Sequence, residues 1–237
     1  MSVIWHDLEC GSYTADLAFW RTLATRHGGP VLDIGAGTGR VTLELARAGL
    51  EVTALDSDCD LLAECRRRAR GLPVDTVCAD ARDFALPRRF GVCIVPMQTI
   101  QLLGGAQGRS GFWRRAREHL LPGGRLAVAI AEAVDSFDVA TGALPPLPDV
   151  CERDGVVYSS LPTAVRVQAG GFVLEREREV VTPDGTLSRE SDRIQLDEVS
   201  ADGLEREASA AGLAPVARAE IAPTDDHVGS EVVILGG

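Results

Sequence analysis

The run Val31-Leu32-Asp33-Ile34-Gly35-Ala36-Gly37-Thr38-Gly39-Arg40 constrains the fold more than any other stretch of this chain. A short apolar segment carrying one carboxylate ends in three alternating glycines, which reads as a buried strand, a tight turn and the start of a helix. Glycines at 35, 37 and 39 remove the Cβ atoms that would hold a ligand away from the backbone. Their amides and the following helix N-terminus are expected to present positive dipole to that ligand. A turn can also use glycine only to reach positive φ. Two nucleotide motifs fail on spacing. Counted from Gly35, the third glycine of G-x-G-x-x-G falls at Arg40, and no lysine follows as a phosphate-binding P-loop requires.

Further strand ends follow in order. Glu51-Val52-Thr53-Ala54-Leu55-Asp56 is a second apolar run closed by an acid, and Val74-Asp75-Thr76-Val77-Cys78-Ala79-Asp80-Ala81 is a third. Phe90-Gly91-Val92-Cys93-Ile94-Val95-Pro96-Met97-Gln98 reads as a fourth strand with its tip, and Leu120-Leu121-Pro122-Gly123-Gly124 as a turn into a fifth. Taken together, these landmarks resemble the class I S-adenosylmethionine-dependent methyltransferase family, whose first motif, close to V-L-D-x-G-x-G-x-G, matches Val31 to Gly39 without a gap. The resemblance covers residues 12–132 by motif and the rest by element order.

It implies a Rossmann-like, doubly wound α/β sheet of seven strands with an antiparallel closing strand, and S-adenosyl-L-methionine as cofactor. It implies cofactor contacts at Asp33, Gly35, Ala36, Gly37 and Gly39, and ribose hydroxyls on Asp56 with Ser57 beside it. Asp80 would accept from the adenine amino group with Ala81 against the ring, and Pro96 and Met97 would lie beside the reactive methyl. Simpler roles stand next to these: Asp56 as the N-cap of a helix over residues 57–70, and Asp80 as a turn cap.

At 237 residues the chain suits a single domain, 1–237, with one elaboration. A net charge of −11 opposes the basic footprint that nucleic-acid binding requires, so no nucleic-acid partner is expected. The absence of a signal-like start and of any spanning apolar run predicts a cytoplasmic protein with no membrane partner. A homodimer is compatible with the sequence. The six cysteines are scattered, with no C-x-x-C and no paired histidine, so neither a zinc site nor a disulfide framework is expected. Cys78 and Cys93 read as small core residues of buried strands.

Residues 1–28 are expected to form a helical lid over the cofactor mouth: Trp5, His6 and Tyr13 precede a helix on which Leu17, Trp20, Leu23 and Ala24 recur at helical spacing. The resemblance implies that Tyr13 reaches the methionyl carboxylate or closes the acceptor pocket; aromatic packing is the alternative. A helix over 109–121 places His119 on its surface near the carboxyl end. The proline-rich stretch 141–148 can be neither helix nor central strand.

Two-residue periodicity over 163–196, broken at Gly170-Gly171 and Pro183-Asp184-Gly185, predicts a three-stranded antiparallel insertion. A three-residue turn at Pro183 to Gly185 sets Thr182 against Thr186. Glu179 then faces Arg189, Arg178 faces Glu190, Arg176 faces Asp192 and Glu175 faces Arg193, with Leu174 on Ile194 and Phe172 on Leu196. A slip of one residue would oppose like charges. The charges read as a solvated ribbon. A helix over 200–212 and strands over 214–221 and 231–235 complete the chain.

The tip of the fourth strand, Pro96-Met97-Gln98-Thr99-Ile100-Gln101, lacks the (N/D)-P-P-(Y/F) tetrad of nucleobase and protein-amide methyltransferases. It also lacks an acidic and asparagine cluster for Mg²⁺. What remains is a small-molecule O- or N-acceptor, oriented by Gln98 or Gln101, with His6 and His227 as the near-neutral bases. A cofactor-binding protein that does not methylate, as a sensor, scaffold or cyclase, is the alternative on the same fold.

Overall fold

Parallel strands buried on both faces need covering helices, and the alternation of apolar runs with amphipathic segments supplies them. The computed structural model describes residues 3–132, 134–224 and 227–237, so the first two residues of the expected lid lie outside the described residues. The chain opens with α1 (Val3–Cys10) and α2 (Leu17–His27), then β1 (Val31–Ile34), α3 (Arg40–Arg47), β2 (Val52–Asp56), α4 (Cys59–Arg68) and β3 (Val74–Cys78). It continues through β4 (Phe90–Val95), a 3-10 turn at Thr99–Leu102, α5 (Gly105–Glu118) and β5 (Leu120–Ile130). After β6 (Phe137–Asp138) come β7 (Asp149–Arg153), β8 (Val156–Gln168), β9 (Gly171–Val181) and β10 (Leu187–Asp197). The chain closes with α6 (Ala201–Ala210), β11 (Ala214–Ile221) and β12 (Ser230–Gly236).

The first sheet has seven strands in the order β11-β12-β5-β4-β1-β2-β3. β1 to β5 pair in parallel, and β12 runs antiparallel to both β5 and β11. Every residue of β1 and β4 is buried. One apolar cluster joins Ile34, Leu55, Phe112, Trp113 and Leu204, and a second joins Trp20, Val41, Leu45, Ile94 and Val232. No helix of the described residues is long and apolar enough to cross a membrane.

The charged hairpin forms in the register that its turn and cross-strand charges dictate. β9 and β10 pair Glu179 with Arg189, Arg178 with Glu190, Arg176 with Asp192, Glu175 with Arg193, Leu174 with Ile194 and Phe172 with Leu196. The Thr182 amide donates to the Thr186 carbonyl at 3.0 Å, and Gly185 turns with φ 85°. The second sheet is nevertheless larger than three strands, because β6 and β7 also pair with β8. The strand β8 starts seven residues before the expected 163 and passes through Pro162. That proline lies opposite the gap between β7, which pairs as far as Ser160, and β6, which begins at Ala164, and a register shift follows it.

Three further expectations are corrected. Cys59 and Cys78 are joined by a disulfide, Cα–Cα 5.3 Å, and Cys78 is exposed rather than a core residue. His119 is buried, not on a helix surface. Its Nε2 accepts from the Leu86 amide at 2.9 Å, which leaves Nδ1 to donate to the Arg115 carbonyl at 2.7 Å, and its ring lies 4.7 Å from that of Phe84. The hairpin is not solvated on both faces: Arg178 is buried against α1, paired with Glu9.

Candidate cofactor and active site

β1 ends under the glycine turn, and the amides of Gly35, Ala36, Gly37 and Gly39 are spent on the protein itself. Gly35 and Ala36 both donate to the Leu55 carbonyl at 2.8 and 3.1 Å, Gly37 donates to Asp56 Oδ2 at 2.8 Å, and Gly39 donates to Ala36 at 2.9 Å. The expectation that these amides would hold the ligand is therefore corrected. A phosphate loop needs free N–H groups, which these glycines do not offer, and the space over their Cα atoms is taken by side chains of the protein. Gly37 has φ 54°, and a Cβ there would come within 2.2 Å of His6 Nε2. Gly39, at φ 95° and heading α3, is instead closed off by Cys65 Sγ, 2.6 Å from where a Cβ would stand. Thr99 occupies the corresponding space over Gly35.

Asp33 lies beneath the turn, almost wholly buried. Its Oδ2 accepts from Thr42 Oγ1 at 2.6 Å, and its Oδ1 has no partner among the described residues. Burial raises its pKa to about 6, against the lowering effect of the Thr42 hydrogen bond. Asp56 closes β2 with Oδ2 on the Gly37 amide and Oδ1 on the Asp58 amide at 2.9 Å. It is not the helix cap. Asp58 is, accepting from Asp60 and Leu61, and α4 starts at Cys59. Each oxygen of Asp56 thus keeps acceptor capacity. Ser57 beside it is exposed.

Across the β2–β3 edge, the Asp80 carboxylate accepts from the Arg82 guanidinium, with Nε 2.9 Å from Oδ1, and from the Arg82 amide at 2.8 Å. The hydrogen bond from Arg82 lowers its pKa. Ala81 is buried in the first apolar cluster. At the tip of β4, Pro96 is buried and Met97 is one of two non-glycine residues of the described chain with positive φ, at 56°. An unbranched side chain held left-handed at a strand tip is backbone strain placed at a site. Gln98 follows, half-buried, and its side-chain amide has no hydrogen-bond partner among the described residues. Gln101 is different. It is buried, accepts from the Ala131 amide at 2.9 Å and donates to the Asp197 carbonyl at 2.9 Å, which makes it a structural brace rather than an acceptor-orienting group.

The amino-terminal segment covers this edge. Arg40, immediately after the last glycine, grips the buried Asp16 with both terminal nitrogens, Nη2 at 2.8 Å from Oδ2, and donates to the Tyr13 carbonyl at 2.8 Å. Trp20 Nε1 also donates to Asp16, at 2.8 Å, which explains why Trp20 is a fully buried packing residue. The Tyr13 ring is stacked 4.8 Å from His227, with the Arg40 guanidinium 5.1 Å from its centroid. Its buried hydroxyl has no partner among the described residues, and burial raises its pKa.

His6 lies on the glycine turn, Nδ1 3.3 Å from Thr38 Oγ1, and burial lowers its pKa against the pull of Asp7 and Asp56. Thr38 itself donates to Asp7 at 2.8 Å, and Asp7 pairs with Arg68 of α4. The structure thus brings His6, Tyr13, His227, Gly37 and Asp56 to one end of the sheet. Neither histidine is hydrogen-bonded to Gln98. Sequence reading missed Arg40–Asp16 and Thr99 over Gly35, although an arginine closing the glycine run was the available signal for the first.

A buried orphan hydroxyl, a turn without Cβ atoms and a strand-end carboxylate with spare lone pairs fit a cofactor with an amino-acid end and a ribose. Residues 31–124 match the family model described as a methyltransferase domain. Over that stretch the chain is similar to methyltransferase domains. The chain is 32% identical over 97 residues to a cypemycin N-terminal methyltransferase of a Streptomyces species, covering 41% of this chain and 40% of that protein. It is 32% identical over 117 residues to the S-adenosyl-L-methionine-dependent Diels-Alderase iccD of Talaromyces variabilis, covering 46% and 39%. The chain spans less than half the length of these curated relatives. Among solved structures, the glycopeptide N-methyltransferase MtfA matches with a TM-score of 0.62 at 27% identity, over 94% of this chain and 91% of that one. The same MtfA has been solved in complex with (S)-adenosyl-L-methionine, and that structure matches with a TM-score of 0.62 at 26% identity, over 92% of this chain and 86% of that one.

Proposed function

We propose that this protein transfers a methyl group from S-adenosylmethionine to a nitrogen or oxygen of a small molecule. The observation that carries the reading is the glycine turn with its glycine amides already satisfied and Asp56 held at its rim. Such a site accepts a neutral ribose and a sulfonium by shape and carboxylate, and offers a pyrophosphate none of the glycine amides. When bound, the cofactor supplies a methyl group activated for in-line displacement. The chain's part is positional, and fixing two reactants in near-attack geometry can remove about 7–11 kcal/mol of barrier.

In this reading Asp56 accepts from the ribose hydroxyls, Asp80 shares its carboxylate between Arg82 and the adenine amino group, and Ala81 meets the ring. The Tyr13 hydroxyl reaches the amino-acid end, with Asp33 bracing the turn from below. Pro96 and the strained Met97 wall the methyl-transfer point, and the unpartnered amide of Gln98 orients the acceptor. His6 and His227 line the cofactor side and shield it from water. Of the named relatives, one is an N-methyltransferase and one an N-terminal methyltransferase by name, which favours an amine acceptor, and an amine attacks in its neutral form without a general base. The Diels-Alderase relative supports a second reading in which the bound cofactor assists a cyclisation; release of S-adenosylhomocysteine in the presence of acceptor separates the two.

The test is calorimetric. Asp56→Ala, with folding checked by circular dichroism, is expected to weaken S-adenosylhomocysteine binding about tenfold or more, since an unpaired buried polar group costs roughly 1–3 kcal/mol and 1.4 kcal/mol is tenfold. Unchanged affinity would overturn the ribose assignment. A metabolite panel screened for S-adenosylhomocysteine release then identifies the acceptor.

A further inference from the structure

The Cys59–Cys78 disulfide stands at the nucleoside end of the site and has no part in the chemistry above. Cys59 is the first residue of α4, three residues after Asp56, and Cys78 is the last residue of β3, two before Asp80. The bridge therefore ties the loop proposed for the ribose to the loop proposed for adenine. Cys78 is in register with Asp56 itself, its sulfur lies 3.7 Å from the Ser57 carbonyl oxygen, and the last backbone bond between the two strand ends is Ala79 N to Asp56 O at 2.9 Å. Past that bond the disulfide is the covalent tie between the start of α4 and the end of β3.

Both bridged residues are exposed, whereas Cys65 and Cys93 are buried. Thiol–disulfide exchange requires an accessible sulfur and a thiolate. Burial pushes the Cys65 thiol up to about 12 and that of Cys10 up to about 11, so neither competes as a nucleophile. The exchange chemistry of this part of the chain is thereby confined to one pair.

We propose that Cys59 and Cys78 form a reversible thiol–disulfide site that sets the affinity of the nucleoside pocket. The proposal rests on the reading of Asp56 and Asp80 as cofactor contacts. Oxidation proceeds by exchange with a low-molecular-weight disulfide: one protein thiol, deprotonated to its thiolate, attacks a sulfur of that disulfide and expels a thiolate, which takes up the released proton. The second protein thiolate then attacks the protein sulfur of the mixed disulfide and expels the other small thiolate, which is protonated in turn. Two protein thiols and one small disulfide become one protein disulfide and two small thiols, and a small dithiol reverses the reaction. The bridged form holds both loops in their binding arrangement. The dithiol form keeps the β2–β3 ladder and the fold, but must order the two loops when the nucleoside arrives.

The experiment compares protein treated with glutathione disulfide and protein treated with dithiothreitol. Alkylation and peptide mapping establish the state of each cysteine, and S-adenosylhomocysteine is titrated calorimetrically. Loss of preorganisation is expected to weaken binding about three- to tenfold in the reduced protein. Cys59→Ser and Cys78→Ser are expected to bind like the reduced form under both treatments, and Cys151→Ser to keep the difference. Free thiols at both positions after glutathione disulfide overturn the proposal. Equal affinity with the bridge verified also overturns it and leaves the cofactor reading intact. Absence of binding in both states overturns the cofactor reading and the proposal with it.

Discussion

Asp33 is a carboxyl sealed beneath the glycine turn, and its environment makes a measurable demand on stability. Its folded pKa of about 6 lies above the ordinary value of 3.8. Between about pH 4 and 6 the folded chain holds a proton that the unfolded chain has released, so this group's contribution is fully present below pH 4 and is lost as the pH rises through 6. A shift of about two units at 1.36 kcal/mol each amounts to about 3 kcal/mol. Urea unfolding of the wild type and of Asp33→Asn at pH 4 and pH 7 should show the wild type losing about 3 kcal/mol relative to the variant across that interval. Parallel pH profiles would show that Asp33 is not the titrating group. The same residue explains a limit of sequence reading. The pattern V-L-D-x-G marks Asp33 as part of the motif, but its hydrogen bond to Thr42, nine residues on, leaves no mark in that pattern.

Among the elements, α1 is the one that sequence reading resolved least. Its eight residues form a separate helix, too short to persist alone, between the glycine turn and the second sheet. His6 and Asp7 face the turn and α4, while Trp5 and Glu9 face β8 and β9: the Trp5 and Tyr158 rings lie 5.6 Å apart, Ser160 Oγ donates to Glu9 at 2.8 Å, and Arg178 Nε donates to Glu9 at 2.7 Å. The hairpin register was legible because turn chemistry and cross-strand charge act between near neighbours. The Glu9–Arg178 pair joins residues 169 apart, and the disulfide joins cysteines with no spacing motif, so neither leaves a local signal. Losing one member of a buried ion pair costs about 3–5 kcal/mol. Glu9→Ala should therefore release α1, raising hydrogen exchange of its protected amides about 100-fold or more, at 1.4 kcal/mol per tenfold. Glu9→Gln combined with Arg178→Met should restore most of the protection. Exchange rates unchanged by Glu9→Ala would mean that the glycine-turn contacts alone hold the helix.

The two sheets are integrated at the scale of the whole molecule through Arg109, buried on α5. Its Nη1 is 2.9 Å from Asp197 Oδ2 at the end of β10, and its Nη2 is 2.8 Å from Glu207 Oε1 on α6. Asp197 also accepts from the Gly105 amide at 2.6 Å, and Trp113 Nε1 donates to Glu207 at 3.1 Å. One guanidinium thus fastens the second sheet, through the last residue of β10, to both helices that cover this face of the first. Only arginine has the fork to hold two carboxylates from different elements, and the chain contains no lysine. Arg109→Met would strand two partly buried carboxylates at a cost of about 3–5 kcal/mol. At about 2–4 °C per kcal/mol for a chain of this size, the calorimetric midpoint should fall by about 6–20 °C. Arg218 is the control, because it pairs with Asp202, Glu205 and Glu231 on an exposed face. Solvent screening and side-chain entropy cancel most of the attraction in such pairs, so Arg218→Met should shift the midpoint far less than Arg109→Met despite removing more pairs. Equal losses in the two variants would show that charge pairing itself, and not its burial at the junction, holds the sheets together.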